Sequence, residues 1–161
     1  MHITRKLTVA CVVALSLAHI ASAADWSHYG NARFGYWVDI PPGFSSVDEA
    51  ENGDGGTSTS PDGRAKLSVW GGYMMQGGFA DEVAWTIDQD KQEGWTISYD
   101  KRAAKAASWS GTKGDKVFYE RTVVGCDGAA AYFRLEYDRN AIKAYDKIVG
   151  RLVKSLNGCG R

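Results

Sequence analysis

Apolar and polar residues alternate with a period of two through residues 130–137, so Phe133, Leu135 and Tyr137 share one face and Arg134 and Glu136 the other. This pattern predicts a half-buried strand, with Arg134 and Glu136 facing outward or pairing across the sheet. Its partner is residues 116–124, because Gly125-Cys126-Asp127-Gly128 joins the two and Asp-Gly is a strong hairpin signal. An earlier hairpin is predicted for residues 57–60 and 64–71, which flank the turn Pro61-Asp62-Gly63. Leu67 and Val69 then lie on one face and Trp70 on the other, where it either meets the second layer of a three-layer fold or is exposed. Residues 33–40 are aromatic and β-branched and stop at Pro41-Pro42-Gly43, a strand ending in a turn. Short strands are expected at 95–99 and 107–109, the second stopped by Gly111-Thr112-Lys113-Gly114.

Two segments change period. In residues 79–93, Phe79, Val83 and Ile87 recur every four positions, Asp81 and Glu82 suit the positive end of a helix, and Gly94 can end it. Residues 140–156 place Ile142, Tyr145, Ile148, Val149, Leu152, Val153 and Leu156 on one broad face, with Asp138 or Asn140 as a cap and Gly158 as a stop. Residues 45–56 are Asp, Glu, Gly and Ser with few apolar side chains and read as a solvated loop. Gly71-Gly72 and Gly77-Gly78 bracket Tyr73-Met74-Met75-Gln76, which is expected to be mobile or exposed. Strands, helix, strands and helix, linked by hairpins, make an α+β fold with an antiparallel sheet packed by two main helices.

The N-terminus has a different pattern. Arg5 and Lys6 precede an apolar run over residues 7–18, followed by Ala21-Ser22-Ala23. That is a signal peptide, residues 1–23, and its run is well short of the ~20 residues that cross a bilayer, so no transmembrane anchor is expected after cleavage. Residues 24–161 then form a single α+β domain. Cys11 belongs to the apolar run, which leaves Cys126 and Cys159, and an even cysteine count in an exported chain predicts one disulfide. It would staple the last helix to the hairpin turn. A periplasmic or secreted location follows, in a Gram-negative bacterium. Without Arg5 and Lys6, seventeen Lys and Arg face nineteen Asp and Glu, a formal charge of −2. No basic excess remains for a phosphate backbone, so no nucleic-acid partner is expected.

The strings Tyr29-Gly30-Asn31-Ala32-Arg33-Phe34-Gly35-Tyr36, Asp39-Ile40-Pro41, Asn52-Gly53-Asp54-Gly55 and Ser60-Pro61-Asp62-Gly63, with the closing Lys154-Ser155-Leu156, are similar to small exported bacterial proteins with a PsbP-like or DcrB-like fold. The resemblance implies a curved antiparallel sheet packed by helices and covers most of the exported chain. Its motifs are turns and a strand edge, and relatives of this fold are often accessory or assembly factors. No functional residue is carried over from it.

Chemistry is sparse. His28, the single histidine after residue 23, sits in a lead-in segment where a catalytic triad would need an ordered base. Asp48, Glu49, Glu51, Asn52 and Asp54 offer oxygen ligands beside glycines, yet counting from Asp48 puts Ala50 at position three and Thr59 at position twelve, which no EF-hand tolerates. Asp48, Glu51 and Asp54 therefore read as part of a solvated turn, and no metal or cofactor is expected. Six tryptophans and eight tyrosines are the surplus. Trp70, Tyr73, Met74 and Met75 form the one contiguous apolar stretch suited to a contact patch. The leading expectation is a non-enzymatic binding or accessory module contacting an envelope protein or a glycan. The alternatives are a small cell-wall or sugar hydrolase with paired carboxylates, and an exported inhibitor or immunity factor.

Overall fold

The computed structural model describes residues 25–159. The expected signal segment, residues 1–23, lies outside them. Nine strands and two helices form, in the order β1 (Ser27–Gly30), β2 (Trp37–Ile40), β3 (Asp48–Glu49), β4 (Gly55–Thr59), β5 (Lys66–Tyr73), α1 (Phe79–Gln92), β6 (Thr96–Arg102), β7 (Ala106–Lys113), β8 (Lys116–Val124), β9 (Ala129–Asp138) and α2 (Ile142–Ser155) among the described residues. β3 to β9 build a seven-stranded sheet in the order β3-β4-β5-β9-β8-β7-β6, with each adjacent pair antiparallel, while β1 and β2 form a separate ribbon.

The β8–β9 hairpin closes as expected. Asp127 and Gly128 have φ of 51° and 78°, the paired positive values of a type I′ turn, and Ala129 N–H donates to the Cys126 carbonyl at 2.9 Å. Cys126 in that turn is bonded to Cys159 beyond α2, with the Cα atoms 5.0 Å apart. On one face of the sheet Leu67, Val69, Phe133, Leu135 and Tyr137 pack under the β1–β2 ribbon and the C-terminal half of α2 through Tyr36, Val38, Leu152 and Leu156. Gly71 is required there, since a Cβ would come within 2.6 Å of Phe34.

The opposite face is also covered. α1 lies over the other end of the sheet, and Val83, Ile87, Trp95, Trp109 and Phe118 form a second core. The fold therefore has three layers, and of the two alternatives for Arg134 and Glu136 the cross-strand pairing holds for Arg134, which meets Glu120 directly opposite on β8, on the face that carries α1. Period-two alternation assigns a residue to a face; it does not reveal whether another element covers that face.

Several local expectations change. The loop at 45–56 contains β3 and the start of β4. β1, read as lead-in, pairs with β2 over four residues. Neither Asp138 nor Asn140 caps α2: a 3₁₀ turn, Arg139–Ala141, precedes it, and the Asp138 carboxylate instead accepts from Arg64 and Lys116. The apolar face of α2 is only partly used, with Ile142 exposed. Among the described residues no helix is long and apolar enough to cross a membrane.

Candidate functional site

The predicted contact patch divides across β5. Trp70 turns toward the α1 layer and stacks on Tyr132, ring centroids 5.0 Å apart, whereas Tyr73 meets Phe34 edge-on at 5.4 Å on the other side. Trp70 is half-buried, as is Met74, and only Tyr73 and Met75 stand out into solvent. The glycine-bracketed segment is also tied down. Glu82 of α1, itself buried, accepts the backbone N–H groups of Met75 and Gln76 at 2.9 and 3.2 Å, and Met74 N–H reaches the Gly128 carbonyl.

The acidic turn is closed on itself. Asn52 Nδ2 donates to Asp54 Oδ2 at 2.7 Å, Glu49 accepts from the Tyr29 hydroxyl, and Arg33 donates to the Asn52 carbonyl. Asp48 lies exposed in β3 and Glu51 exposed in the turn. Among the described residues no group of three or more acidic, histidine or cysteine side chains converges as a metal site would require. His28 gains an unforeseen partner: its Nδ1 lies 2.6 Å from Asp39 Oδ1, and Ser155 is close by. The serine hydroxyl, however, donates to the Leu152 carbonyl and accepts from Asp39 N–H, so it is held by backbone and not by the imidazole.

Two constellations that the sequence did not reveal stand back to back on β8. The first is buried under α1. Arg134 Nη1 donates to Asp90 and to Glu120, each at 2.7 Å, and its Nε donates to Glu136 at 2.8 Å. The guanidinium lies 3.7 Å over the Phe118 ring, and Trp109 Nε1 donates to the second Asp90 oxygen at 2.7 Å. Burial pushes the Glu120 carboxyl up to about 8, against the pull of Arg134, and its Oε1 has no hydrogen-bond partner among the described residues. These are the paired carboxylates a hydrolase would need, but Asp90 and Glu120 side chains are 7% and 2% exposed.

The second constellation opens to solvent on the other face. A groove of about 300 Å³ lies between the β6–β8 end of the sheet and α2, lined by Tyr99, Lys101, Ser108, Tyr119, Arg121 and Val153 among others. A β-bulge in β6 makes it possible. The register slips between Ile97 and Tyr99, so Ile97 packs against the α1 core while Tyr99, two residues on, faces the opposite side. Tyr99 stacks on Tyr119 at 6.1 Å with 25° between the rings, and Tyr119 stacks on Phe133 at 6.2 Å. Burial raises the Tyr119 phenol, partly offset by a hydrogen bond from Ser108. Arg121 Nη1 donates to the Ser108 hydroxyl at 3.0 Å, its Nε is buried without a partner, and no salt bridge reaches it among the described residues. Arg102, at the rim, is already held by Asp100. The lining contains no carboxylate. A larger concavity of about 590 Å³ runs along α2, but its Arg151 is bound to Asp39 and stacked on Trp26.

The fold and this geometry define a class: α+β proteins in which one antiparallel sheet carries helices on both faces. Among solved structures, the chain has a PsbP-like fold. It is similar to cyanobacterial PsbP (CyanoP) from Synechocystis sp. PCC 6803, with a TM-score of 0.58 at 13% identity, over 89% of this chain and 97% of that one. It is also similar to the Saccharomyces cerevisiae Ran-binding protein Mog1p, with a TM-score of 0.61 at 8% identity over 84% and 96%, and to a variant of Mog1 with the same score and identity over 84% and 97%. Such likeness bears on the fold alone. The DcrB-like side of the resemblance has no counterpart among these structures. No protein-family model matches the chain, and no curated protein matches it in sequence.

Proposed function

We propose that this chain is an exported, non-enzymatic binding or accessory module of the bacterial envelope, acting in the periplasm or after secretion, and that it takes its partner in the groove over Tyr119. One observation carries the reading: the groove presents an aromatic shelf and a guanidinium with no carboxylate partner, facing solvent. Ligand sites in proteins combine such apolar surface with a few convergent polar groups. The Cys126–Cys159 bond supports an oxidising compartment, and the N-terminal charged and apolar pattern supports export. That Mog1p is described as Ran-binding supports a binding role by analogy of fold.

Native mass spectrometry of the protein recovered from an osmotic-shock fraction tests this reading. The expected result is a chain beginning at Ala24 that carries a non-covalent adduct, with the adduct lost in Arg121→Met. Recovery only in the cytoplasm with residues 1–23 retained would overturn the location. Hydrolysis of peptidoglycan or a glycoside that disappears in Glu120→Gln would overturn the non-enzymatic role in favour of the hydrolase.

A further inference from the structure

We propose that the groove binds a saccharide carrying an ionised carboxylate or phosphate, with the sugar ring on the Tyr99–Tyr119 shelf and the anion on Arg121 and Lys101. The proposal rests on reading the groove as a binding site and names its ligand class. Three observations select that class. The two tyrosine rings lie 25° from parallel with centroids 6.1 Å apart, Tyr99 is exposed, and β7 places only the small side chain of Ser110 between them, with Ser108 between Lys101 and Arg121, so the groove offers an aromatic surface beside its cations. Such a surface suits the C–H face of a pyranose, while the phenol and serine hydroxyls meet its rim of hydroxyl groups.

Charge is the second observation. Lys101 and Arg121 have no carboxylate partner among the described residues, the groove lining holds no carboxylate, and Asp100, beside Lys101 in the chain, is paired with Arg102 and placed by the register opposite Trp109 on the α1 face. An anion in the groove would therefore meet two cations and no competing acid. Arg121 also has a buried N–H without an acceptor, a group that ordinary folding would satisfy. A carboxylate or phosphate oxygen would meet the Nη end of the same guanidinium in charge-assisted form. Size is the third. At about 300 Å³ the space is at the lower end for small ligands, which fits one or two rings.

The test is a titration of the disulfide-intact exported chain, followed by backbone amide NMR, with five probes: D-glucuronic acid, N-acetylmuramic acid, glucose 6-phosphate, glucose and hexaglutamate. The expected result is that an acidic sugar shifts the amides of Tyr99, Ser108, Tyr119 and Arg121 and binds roughly tenfold to a hundredfold more tightly than glucose. Arg121→Met should remove that preference, and Tyr99→Ala should weaken acidic and neutral sugars alike. Lys101→Met, an exposed change on β6, gives a second reading of the charge should Arg121→Met fold poorly. Binding by the two carboxylates or by the phosphate alone identifies the source of the anion. Glucose binding as tightly as the acids would overturn the proposal. Hexaglutamate shifting the groove while no sugar does would overturn it and leave the binding-module reading standing. Silence from all five probes would remove both.

Discussion

Glu120 and Arg121 are consecutive residues of β8, yet they enter opposite environments. Glu120 turns under α1 into a cluster in which Arg134 meets three carboxylates and two aromatic rings. Arg121 turns toward the groove, where its one bonded side-chain partner is a serine hydroxyl. The pleat separates a closed electrostatic system from an open one by a single residue. A buried guanidinium with carboxylate partners is structural, because removing it leaves uncompensated charge in a dry layer. A half-buried guanidinium without them has no such structural charge partner to lose.

The comparison is broken most forcefully at Arg134. Arg134→Met strands Asp90 and Glu120, and we expect a loss of about 3–5 kcal/mol in urea unfolding; a loss below 1 kcal/mol would mean the cluster is not what holds α1. Next in size is the disulfide. Its closing separation is 33 residues, and the double variant Cys126→Ser, Cys159→Ser should lose about 3–4 kcal/mol by the same measurement.

Acidity sharpens the contrast further. The carboxyl of Glu120 is raised by burial from 4.5 to about 8, so the folded state holds its proton more tightly than the unfolded chain. Its stabilising contribution is full below pH 4.5 and is lost as pH rises through about 8. The unfolding midpoint of the natural chain, minus that of Glu120→Gln, should fall steadily over that window. A flat difference would show that Glu120 is ionised throughout. The smallest expected effect is at Arg121. Arg121→Met should change stability by less than about 1 kcal/mol while removing ligand binding. A cost near that of Arg134→Met would place Arg121 among the structural cations and end the contrast.

How far the sequence reached depends on how local each signal was. The β8–β9 hairpin could be read to within a residue because Asp127-Gly128 and the alternation of Phe133, Leu135 and Tyr137 lie within one short stretch. α1 was legible from Phe79, Val83 and Ile87 for the same reason. β1 was missed because Ser27-His28-Tyr29-Gly30 has no alternation and forms only through its pairing with β2. The second layer was legible only as one of two alternatives at Trp70; Trp109 and Phe118 sit on the same face, and so many large side chains there imply a cover.

The groove had no such signal. Tyr99, Ser108 and Arg121 come from three strands, and plain alternation puts Tyr99 on the face of Ile97. Only the bulge turns it over. The patch at Trp70 to Met75 failed in the opposite sense, since contiguity along a strand distributes side chains to both faces.

The strand order also has a kinetic meaning. β5 sits between β4 and β9, and its register joins Lys66 to Glu136, seventy residues later in the chain. As a chain emerges N-terminus first, β5 can pair only with β4 until residue 138 is free, whereas β6 to β9 close through successive hairpins. β4–β5 and β6 to β9 should therefore form as two separate pieces, and the joining of β5 to β9 should be the late, slow step, because loop closure over that distance must precede the contacts that reward it.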